Sequence, residues 1–384
     1  MSSQHVALNG LRVLDASESI AGQYCGRMLA DYGAEVTLIE PPTGSALRRR
    51  EPFDGNDDSL LFFNLNLGKH SVSLDPMVPS GRKILFDLVK AADVVLVGPG
   101  LDRGALQDAN PKAVVALVSG FGETGPLAQW GANEMIYQAL SGMMKHNGEL
   151  DREPLYGCGD RASYSAGVAT YVAVLAALFA RRRVGKGQSI SVDIAETASA
   201  MSYPLQLQYI YNGSLEARGD QKLPLGKVKC RDGWMTFWIF DDRWEAACRA
   251  FDVAHLIEDP RFAKPADRIR NWAALTAILQ EKVAQRAAED VVEEIQAAGV
   301  VAGKAYRPSD FKTGCAHLHE RGYWQSVSTE RGEQPMLGPQ FRMSRTPRSV
   351  RSGPPRLGQD NERIYESMGL NRDEIGALRR AGVI

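Results

Sequence analysis

The amino-acid sequence predicts an α/β protein whose larger part is a doubly wound parallel sheet. Short apolar runs alternate with helical patterns over residues 1–120, and two runs, DVVLVG (93–98) and AVVALVSG (113–120), are almost entirely apolar. Such strands are typical of a parallel sheet covered by helices on both faces. A smaller unit with a hairpin and several helices follows, so we expect a large α/β domain and a smaller α+β domain.

The elements of the large domain follow one another at short intervals. Apolar or alternating runs predict strands at 11–16, 35–40, 70–75, 93–98, 113–120 and 187–193. Apolar residues at helical spacing predict helices at 25–34, 80–92, 161–183 and 194–212. The strand 35–40 should end before Pro41, because proline donates no backbone hydrogen bond.

The smaller unit begins after a change of composition. Glycine, charged and turn residues at 213–233 predict a linker. Beyond it, KVKC (227–230) and WMTFWIF (234–240) predict a hairpin around Asp232-Gly233. Helices are predicted at 242–251, 267–285, 288–298 and, as a last amphipathic helix, 371–384. The Pro- and Arg-rich stretch 340–358 predicts extended or loop structure.

Charge and apolar patterning restrict the partners. The chain has 45 basic and 46 acidic residues, a formal net charge of −1, so no field of one sign favours nucleic acid or an anionic membrane as the main partner. The N-terminus lacks the basic-then-apolar pattern of a signal peptide. The longest apolar-rich stretch, 166–180, is shorter than the ~20 residues of a membrane span.

The cysteines indicate a reduced cytoplasmic protein without a structural metal. The five cysteines are an odd number, widely spaced and without a CxxC pair, which fits free thiols better than a disulfide framework. Cys315, His317 and His319 lie close together but match no zinc-ligand spacing. We therefore expect no metal.

Asp160, in YGCGDRASYSAG (156–167), is the first candidate for chemistry. As an aspartate before a helix, it could simply be the N-cap, accepting a backbone N–H of the first turn. The setting also suits a nucleophile, because the helix N-terminus stabilises the carboxylate and Gly157 and Gly159 allow close approach of a ligand. Position alone leaves both interpretations open.

Two further segments contain candidate functional residues. Glu134, in GANEMIYQALSG, is either an ordinary first-turn acid of a helix or a second functional acid. The loop GFGETGP (120–126) follows a predicted strand at the end where doubly wound sheets bind ligands. The chain has no GxGxxG after its first strand and no Walker sequence, so a dinucleotide or nucleotide site is not indicated.

Taken together, several stretches resemble one family, the class III CoA-transferases (CaiB/BaiF superfamily). They occur in the family's order along residues 8–384: LNGLRVLDASESIAGQYCGRMLADYGAEVTLIEPP, NLNLGKHSVSLD, VSGFGETGP, YQALSG, GCGDRASYSAGVATYVAVLAALFARRRVGKGQSISVDIAE and IGALRRAGVI. A single stretch would be a weak signal, but six in order are specific to the family.

The resemblance implies an activity. The family moves CoA from an acyl-CoA to a free carboxylate, through an aspartyl mixed anhydride and an enzyme–CoA thioester. The aspartate that attacks the thioester precedes a long helix and corresponds to Asp160 here. Glu134 matches a glutamate of some transferases and is expected to support the site. The substrates implied are acyl-CoA, with coenzyme A as co-substrate, and a carboxylic acid.

The resemblance also implies a domain plan. Residues 1–212 would form a large Rossmann-like CoA-binding domain, 213–324 the linker and small domain, and 325–384 a return to the large domain. Two such subunits would be interlocked in a homodimer.

Two other functions remain open within this resemblance. A racemase branch moves the α-proton of 2-methylacyl-CoA with the same aspartate and a histidine in a G-H-D triplet. The matching positions here are Ala132, Asn133 and Glu134, and asparagine cannot act as the second proton carrier, so CoA transfer is preferred. A non-catalytic acyl-CoA-binding homologue is the other alternative, because a fold does not fix a function.

The CoA-binding residues are expected by analogy, with departures from the family. Lys69, His70 and Arg103 are expected to contact CoA, and the two cations to neutralise its phosphates. The family's ENFRPG-like loop is shortened to VGPG (97–100), and Ile20 replaces a glutamine of some transferases. The glycine-rich lid of formyl-CoA transferases is not visible, which disfavours oxalate and formyl substrates.

Overall fold

The structure is a computed structural model that describes residues 6–201, 203–214 and 223–384. The chain divides into two units, one formed by Met1–Glu216 with Gln325–Ile384 and the other by Ala217–Trp324. Residues 215–222 of the predicted linker lie outside the described residues. The assignment of 1–212, 213–324 and 325–384 to domains stays a prediction.

A six-stranded parallel sheet forms the centre of the larger unit. Its strands are β1 (Arg12–Ala16), β2 (Glu35–Glu40), β3 (His70–Ser73), β4 (Val94–Val97), β5 (Val114–Ser119) and β6 (Ser189–Asp193). They lie in the order β3-β2-β1-β4-β5-β6, and every neighbouring pair is parallel. The predicted doubly wound α/β fold is confirmed. The strand order reverses between β1 and β4, so the crevice at their carboxyl ends is where such sheets bind ligands.

Helices connect the strands of this sheet. Those described before residue 215 are α1 (Ile20–Asp31), α2 (Leu60–Asn66), α3 (Pro79–Lys90), α4 (Arg103–Ala109), α5 (Glu134–Leu140), α6 (Arg161–Val184), α7 (Ile194–Met201) and α8 (Tyr203–Asn212). The helix predicted at 25–34 begins earlier, at Ile20, because the Ser19 hydroxyl caps it by accepting the Gly22 N–H at 3.1 Å. The helices α2 and α4 were not predicted.

The smaller unit contains a three-stranded antiparallel sheet, β7 (Leu225–Cys230), β8 (Gly233–Trp238) and β9 (Val301–Ala305). The predicted hairpin is confirmed, with Cys230 paired to Gly233. Its helices are α9 (Trp244–Ala250), α10 (Pro265–Arg270), α11 (Trp272–Val283), α12 (Ala288–Ala297), α13 (Pro308–Thr313) and α14 (Ala316–Glu320). The helix predicted at 267–285 is divided at Asn271, whose amide donates to the Asp267 carbonyl.

The last part of the chain packs on the large sheet. It contains β10 (Trp324–Thr329), β11 (Gly332–Leu337), α15 (Asn361–Ser367) and α16 (Arg372–Arg380), and no helix or strand in 340–358, as predicted. The Tyr365 hydroxyl donates to the Ser73 carbonyl at 2.7 Å. Val383 and Ile384 are buried in the same apolar cluster as Leu85 of α3.

The sheet is buried on both faces, as its composition predicts. In β4, Val95 and Val97 belong to the cluster that includes α3 and α16, whereas Val94 and Leu96 belong to the cluster that includes α1 and α6. All four side chains are fully buried. Alternate residues of one strand therefore serve two cores.

Helix α6 lies directly against α1. At Gly167, an added Cβ would be 2.7 Å from the Ala21 carbonyl oxygen and 3.0 Å from Tyr24 Cδ1. Closer to the start of α6, Tyr24 and Tyr164 meet edge to face with ring centroids 4.7 Å apart. These contacts hold the first half of α6 against α1.

Among the described residues, α6 is also the one helix long and apolar enough to cross a membrane by length and composition. Its inner face, including Ala166 and Val174, is buried against the rest of the unit. Core helices have the same character.

We predict that Gly167→Ala destabilises the protein, although alanine is intrinsically the better helix former by about 1 kcal/mol. The added methyl group would meet the backbone of Ala21, which cannot move aside without shifting α1. We expect a loss of about 1–3 kcal/mol in the free energy of unfolding, measured by denaturant titration. Gly131→Ala is the control, because an added Cβ there has no neighbour within 4 Å, and its stability should be unchanged.

Candidate active site

Asp160 lies immediately before α6, but its carboxylate does not cap the helix. It accepts no N–H of the first turn, although its backbone carbonyl accepts the Tyr164 N–H at 2.9 Å. Instead, Asp160 Oδ1 lies 2.5 Å from Nη2 of Arg50. The Asp160 side chain is 17% exposed and that of Arg50 is 45% exposed. The nucleophile candidate is therefore held at the helix N-terminus by an ion pair that reaches solvent.

The cap of α6 is supplied by Glu134 from another helix. Glu134 Oε1 accepts the Ala162 N–H at 2.6 Å, and Oε2 accepts the Ser163 N–H at 3.1 Å and the Ser163 hydroxyl at 2.9 Å. The Glu134 side chain is buried, and Gln138 Nε2 donates to it at 3.0 Å. The first backbone N–H groups of a helix have no acceptor within the helix. The Glu134 carboxylate accepts from two of these groups in α6 and lies at the positive end of the α6 dipole. The structure thus brings both predicted acids to the first turn of α6.

The same short helix holds the glycine loop before Asp160. Gln138 Oε1 accepts the Gly157 N–H at 2.9 Å, and its Nε2 donates to the Gly157 carbonyl at 3.1 Å. Gly159 has φ +77°, a left-handed conformation that favours glycine. The i, i+4 spacing of Glu134 and Gln138 places both side chains on one side of α5. One face of α5 therefore positions the loop and the helix on either side of Asp160.

Two tyrosines share the electrostatic surroundings of Asp160. Desolvation, followed by the negative charges of Glu134 and Asp160, raises the pKa of Tyr156. Burial, with a smaller contribution from Asp160, raises the pKa of Tyr164. Both phenols therefore stay protonated at neutral pH, and the Tyr156 hydroxyl donates to the Gly159 carbonyl at 3.3 Å.

Arg50 was not predicted as a site residue. It ends a run of three arginines whose side chains go to three different partners. Arg48 forms a pair of hydrogen bonds with the buried Glu40, at 2.6 and 2.8 Å, and Arg49 donates to the Thr43 carbonyl at 2.9 Å. The only sequence signal is the run itself, and such runs are usually solvated.

The position of Arg50 is fixed by the segment around it. Leu47 packs in a buried cluster with Ile20 and Phe62, against which Tyr164 of α6 also lies. The Arg50 carbonyl accepts the Ser59 hydroxyl at 2.6 Å. One apolar cluster thereby brings the segment carrying Arg50 and the first turns of α6 together.

Lys69 is placed in the interior. Its ammonium lies 2.8 Å from Asp15 Oδ2 and donates to the Gln23 carbonyl at 2.8 Å, and neither charged side chain has exposed surface. Burial lowers the pKa of Lys69, and the Asp15 carboxylate opposes that shift. As placed here, Lys69 offers no donor to a phosphate at the surface. It joins β1 to α1, and the CoA contact expected of it from the sequence stays a prediction.

His70, the next residue, faces a different region. Its Nδ1 lies 3.1 Å from Asp360 Oδ1. It lines a cavity of about 930 Å³, whose charged lining also includes the cations Arg48, Lys69, Arg331 and Arg356 and the acids Asp54, Asp58, Glu330 and Asp360. The His70 side chain is 40% exposed, whereas that of Lys69 has no exposed surface.

Arg103 begins α4 after the shortened VGPG loop. Its guanidinium pairs with Glu123 of the GFGETGP loop and donates to the Ile190 carbonyl at 3.1 Å. The Ser119 hydroxyl accepts the Gly122 N–H at 2.9 Å and so holds the same loop. No contact joins Arg103 to Lys69 or His70 among the described hydrogen bonds and ion pairs.

Within residues 6–201, 203–214 and 223–384, no group of three or more His, Cys, Asp or Glu residues could hold a metal ion. Around the Cys315 segment, His319 Nε2 is hydrogen-bonded to the Lys312 carbonyl.

The comparisons with known proteins decide the family. Residues 8–361 match the sequence model described as CoA-transferase family III. The chain belongs to this family. It is therefore an enzyme of the class III CoA-transferases, and the resemblance seen in the sequence is confirmed.

Relatives across the family match the whole chain. The formyl-CoA:oxalate CoA-transferase of Streptomyces avermitilis is 28% identical, covering 98% of this chain and 99% of that protein. The succinyl-CoA–D-citramalate CoA-transferase of Chloroflexus aurantiacus is 30% identical and covers 100% of both chains. The crystal structure of a CAIB/BAIF family protein from Brucella suis superposes with a TM-score of 0.86 at 28% identity, covering 95% of this chain and 100% of that one.

We predict that Glu134→Gln destabilises this CoA-transferase. Glutamine has one carbonyl oxygen, so it cannot accept both N–H groups of the α6 first turn with the same geometry. We expect a loss of about 1–3 kcal/mol in the free energy of unfolding, measured by denaturant titration. Ser163→Ala, which removes only the hydroxyl contact, should lose about 0.5–1.5 kcal/mol. Equal effects would contradict the capping role.

We predict that Lys69→Met destabilises the fold strongly, because it leaves Asp15 buried without its partner. The expected loss is about 3–5 kcal/mol in the free energy of unfolding. The double variant Lys69→Met/Asp15→Leu should recover much of that stability. If Lys69→Met were as stable as the wild type and only weakened acyl-CoA binding, Lys69 would be a ligand contact after all.

Proposed function

We propose that the protein transfers CoA from an acyl-CoA to a free carboxylic acid through Asp160. The observation that carries this proposal is that Glu134, and not Asp160, caps the N-terminus of α6. Because Glu134 caps the helix, the Asp160 carboxylate is left at the positive end of the helix dipole with a partner that solvent can reach. Carboxylates placed in this way are competent covalent nucleophiles.

The reaction proceeds by exchange of acyl groups. An Asp160 oxygen attacks the thioester carbonyl, the C–S bond breaks, and a mixed anhydride and CoA thiolate form. The thiolate then attacks Asp160 Cγ, giving an aspartyl–CoA thioester and releasing the first acid as its carboxylate. The acceptor carboxylate repeats these steps in reverse. Each step exchanges one activated acyl group for another, which divides a difficult transfer into easier ones.

Glu134 acts as a positioning residue in this scheme. It accepts bonds from the α6 first turn rather than facing the reacting atoms, and Gln138 extends its effect to Gly157. The N–H groups of the loops 120–126 and 157–159 are the proposed donors to a developing oxyanion.

His70 and Arg103 are the proposed contacts of CoA. Both side chains reach the surface, and His70 lines a cavity that contains cationic and acidic side chains. A guanidinium and an imidazole can both donate to phosphate oxygens. A phosphate at Arg103 would compete with Glu123 for the guanidinium. Such competition would couple CoA binding to the position of the glycine loop.

We propose an interlocked homodimer in the cytoplasm. Support for association comes from apolar side chains exposed on α6 and α8, including Val172, Phe179, Ile210 and Tyr211, because clusters of this kind mark interfaces. All five cysteines are free thiols, the state that a reducing compartment maintains.

A panel assay in deuterated water tests the function. The panel pairs acetyl-, succinyl- and formyl-CoA with acids that include oxalate, succinate, glutarate, malate and citramalate, because relatives are named for several of these acids. New thioesters, identified by mass spectrometry, are the expected result. Asp160→Asn should lower turnover by at least about 10³-fold, while Asp151→Asn, an exposed control, should match the wild type.

Other outcomes would overturn the proposal in distinguishable ways. Deuterium at the α-carbon without new thioesters would indicate the racemase or epimerase. That result would be unexpected, because Asn133 serves as the N-cap of α5 and accepts the Ile136 N–H. Binding of acyl-CoA without any turnover would indicate a non-catalytic homologue. Normal activity of a folded Asp160→Asn variant would exclude Asp160 as the nucleophile.

A further inference from the structure

We propose that Arg50 binds the carboxylate group of the acid substrate, an inference that rests on the function proposed above. Arg50 is the cation that contacts the Asp160 carboxylate among the described ion pairs, with Nη2 at 2.5 Å from Oδ1. In the resting enzyme Arg50 binds a carboxylate, that of Asp160, and the acceptor substrate must also bring a carboxylate to Asp160. Neither the family resemblance nor the run of arginines in the sequence assigned it this role.

The chemistry at Asp160 releases Arg50. In the resting enzyme Asp160 is an anion and satisfies the guanidinium. In the aspartyl–CoA thioester Asp160 carries no charge, so the ion pair no longer exists. Arg50 is then a cation with unused donors beside the electrophilic carbon. A carboxylate is its natural replacement partner, because the planar guanidinium fork matches two carboxylate oxygens.

The surroundings of Arg50 allow this exchange. Its backbone is fixed, since its carbonyl accepts the Ser59 hydroxyl at 2.6 Å, whereas its side chain is half exposed. Exposed ion pairs are weak and exchange their partners readily. An anion from solvent can therefore reach the guanidinium without opening the core.

The neighbouring arginines are engaged elsewhere. Arg48 is committed to the buried Glu40 and to the Pro355 carbonyl at 3.0 Å. Arg49 donates to the Thr43 carbonyl. Arg161, the residue after the nucleophile, donates to the Cys158 carbonyl at 3.2 Å. Arg50 differs from all three because its partner is the reacting group itself.

The proposed step conserves charge and atoms. An oxygen of the acceptor carboxylate, held by Arg50, bonds to Asp160 Cγ as the C–S bond breaks and CoA leaves as the thiolate. The thiolate then bonds to the acceptor's carbonyl carbon, the bond between that carbon and the bridging anhydride oxygen breaks, and this oxygen stays on Asp160. The products are the new acyl-CoA and the Asp160 carboxylate, which pairs with Arg50 again. No oxidant, reductant or metal is needed.

A kinetic test separates acid binding from CoA loading. Wild type, Arg50→Met, Arg50→Lys and Arg49→Met are compared in two assays with succinyl-CoA and glutarate, or with the fastest pair in the panel. The first assay follows formation of the Asp160–CoA thioester from acyl-CoA alone by intact-protein mass spectrometry. The second measures KM for the acceptor acid at saturating acyl-CoA.

We expect Arg50→Met to raise the KM of the acceptor acid by about 10- to 100-fold, the effect of losing a charge-assisted pair. Its rate of CoA loading should fall by a smaller factor than the affinity for the acid, because Arg50 also holds the Asp160 carboxylate before the attack. Arg50→Lys should recover part of the affinity, because it keeps the charge but not the fork. Arg49→Met, the matched control, should behave as the wild type in both assays.

The outcomes that overturn the inference differ from those that overturn the function. Normal loading together with an unchanged acceptor KM in a folded Arg50→Met variant would overturn the role of Arg50 alone. Equal increases in KM for acyl-CoA and acid would also overturn it, since Arg50 would then support the site in general. A wild type that loads no CoA from any thioester of the panel would overturn the proposed function, and this inference with it.

Discussion

The carboxylate of Glu134 is the contact on which the arrangement of the site depends. Helix α6 is 24 residues long and begins at the candidate nucleophile, so its first N–H groups need an acceptor. A carboxylate from α5 takes that position, and the nearer carboxylate of Asp160 does not. One buried acid therefore satisfies the helix, and the other acid, Asp160, is left to pair with Arg50. Gln138 lies one turn after Glu134 on the same face of α5. Its side chain holds Gly157, in the loop that leads into Asp160.

The packing of α1 against α6 carries this arrangement into the rest of the unit. Gly167 lets the two helices approach closely, and α1 in turn packs on the sheet and is tied to β1 by the buried pair of Lys69 and Asp15. A buried ion pair of this kind contributes little net stability but tolerates no loss of one partner. The position of Asp160 is therefore determined by contacts that extend to the first strand of the sheet.

Local patterns predicted the fold well and the site only in part. The strands were recognisable because both faces of a parallel sheet are buried, which makes DVVLVG and AVVALVSG apolar throughout. The start of α1 was missed, although Ser19 is a preferred N-cap residue, because Gly22 and Gly26 weaken the helical pattern of its first turns. Asp160 and Glu134 could be selected as candidate acids, but their roles could not be divided from sequence. The contacts that divide them join residues 28 or 29 positions apart, and Lys69 meets Asp15 across 54 positions. The pairing of Arg50 with Asp160 spans 110 positions, and no spacing rule reaches so far.

The return of residues 361–384 to the large sheet has a consequence for the order of folding during synthesis. The core on one face of that sheet contains Tyr365, Val383 and Ile384 beside side chains of β3 and α3. That face cannot be completed until these last residues have left the ribosome. The smaller unit is continuous in the chain and has its own apolar core, so it can become compact earlier. One face of the large sheet therefore stays exposed while the smaller unit folds. During this period the exposed apolar side chains make the nascent chain prone to aggregation.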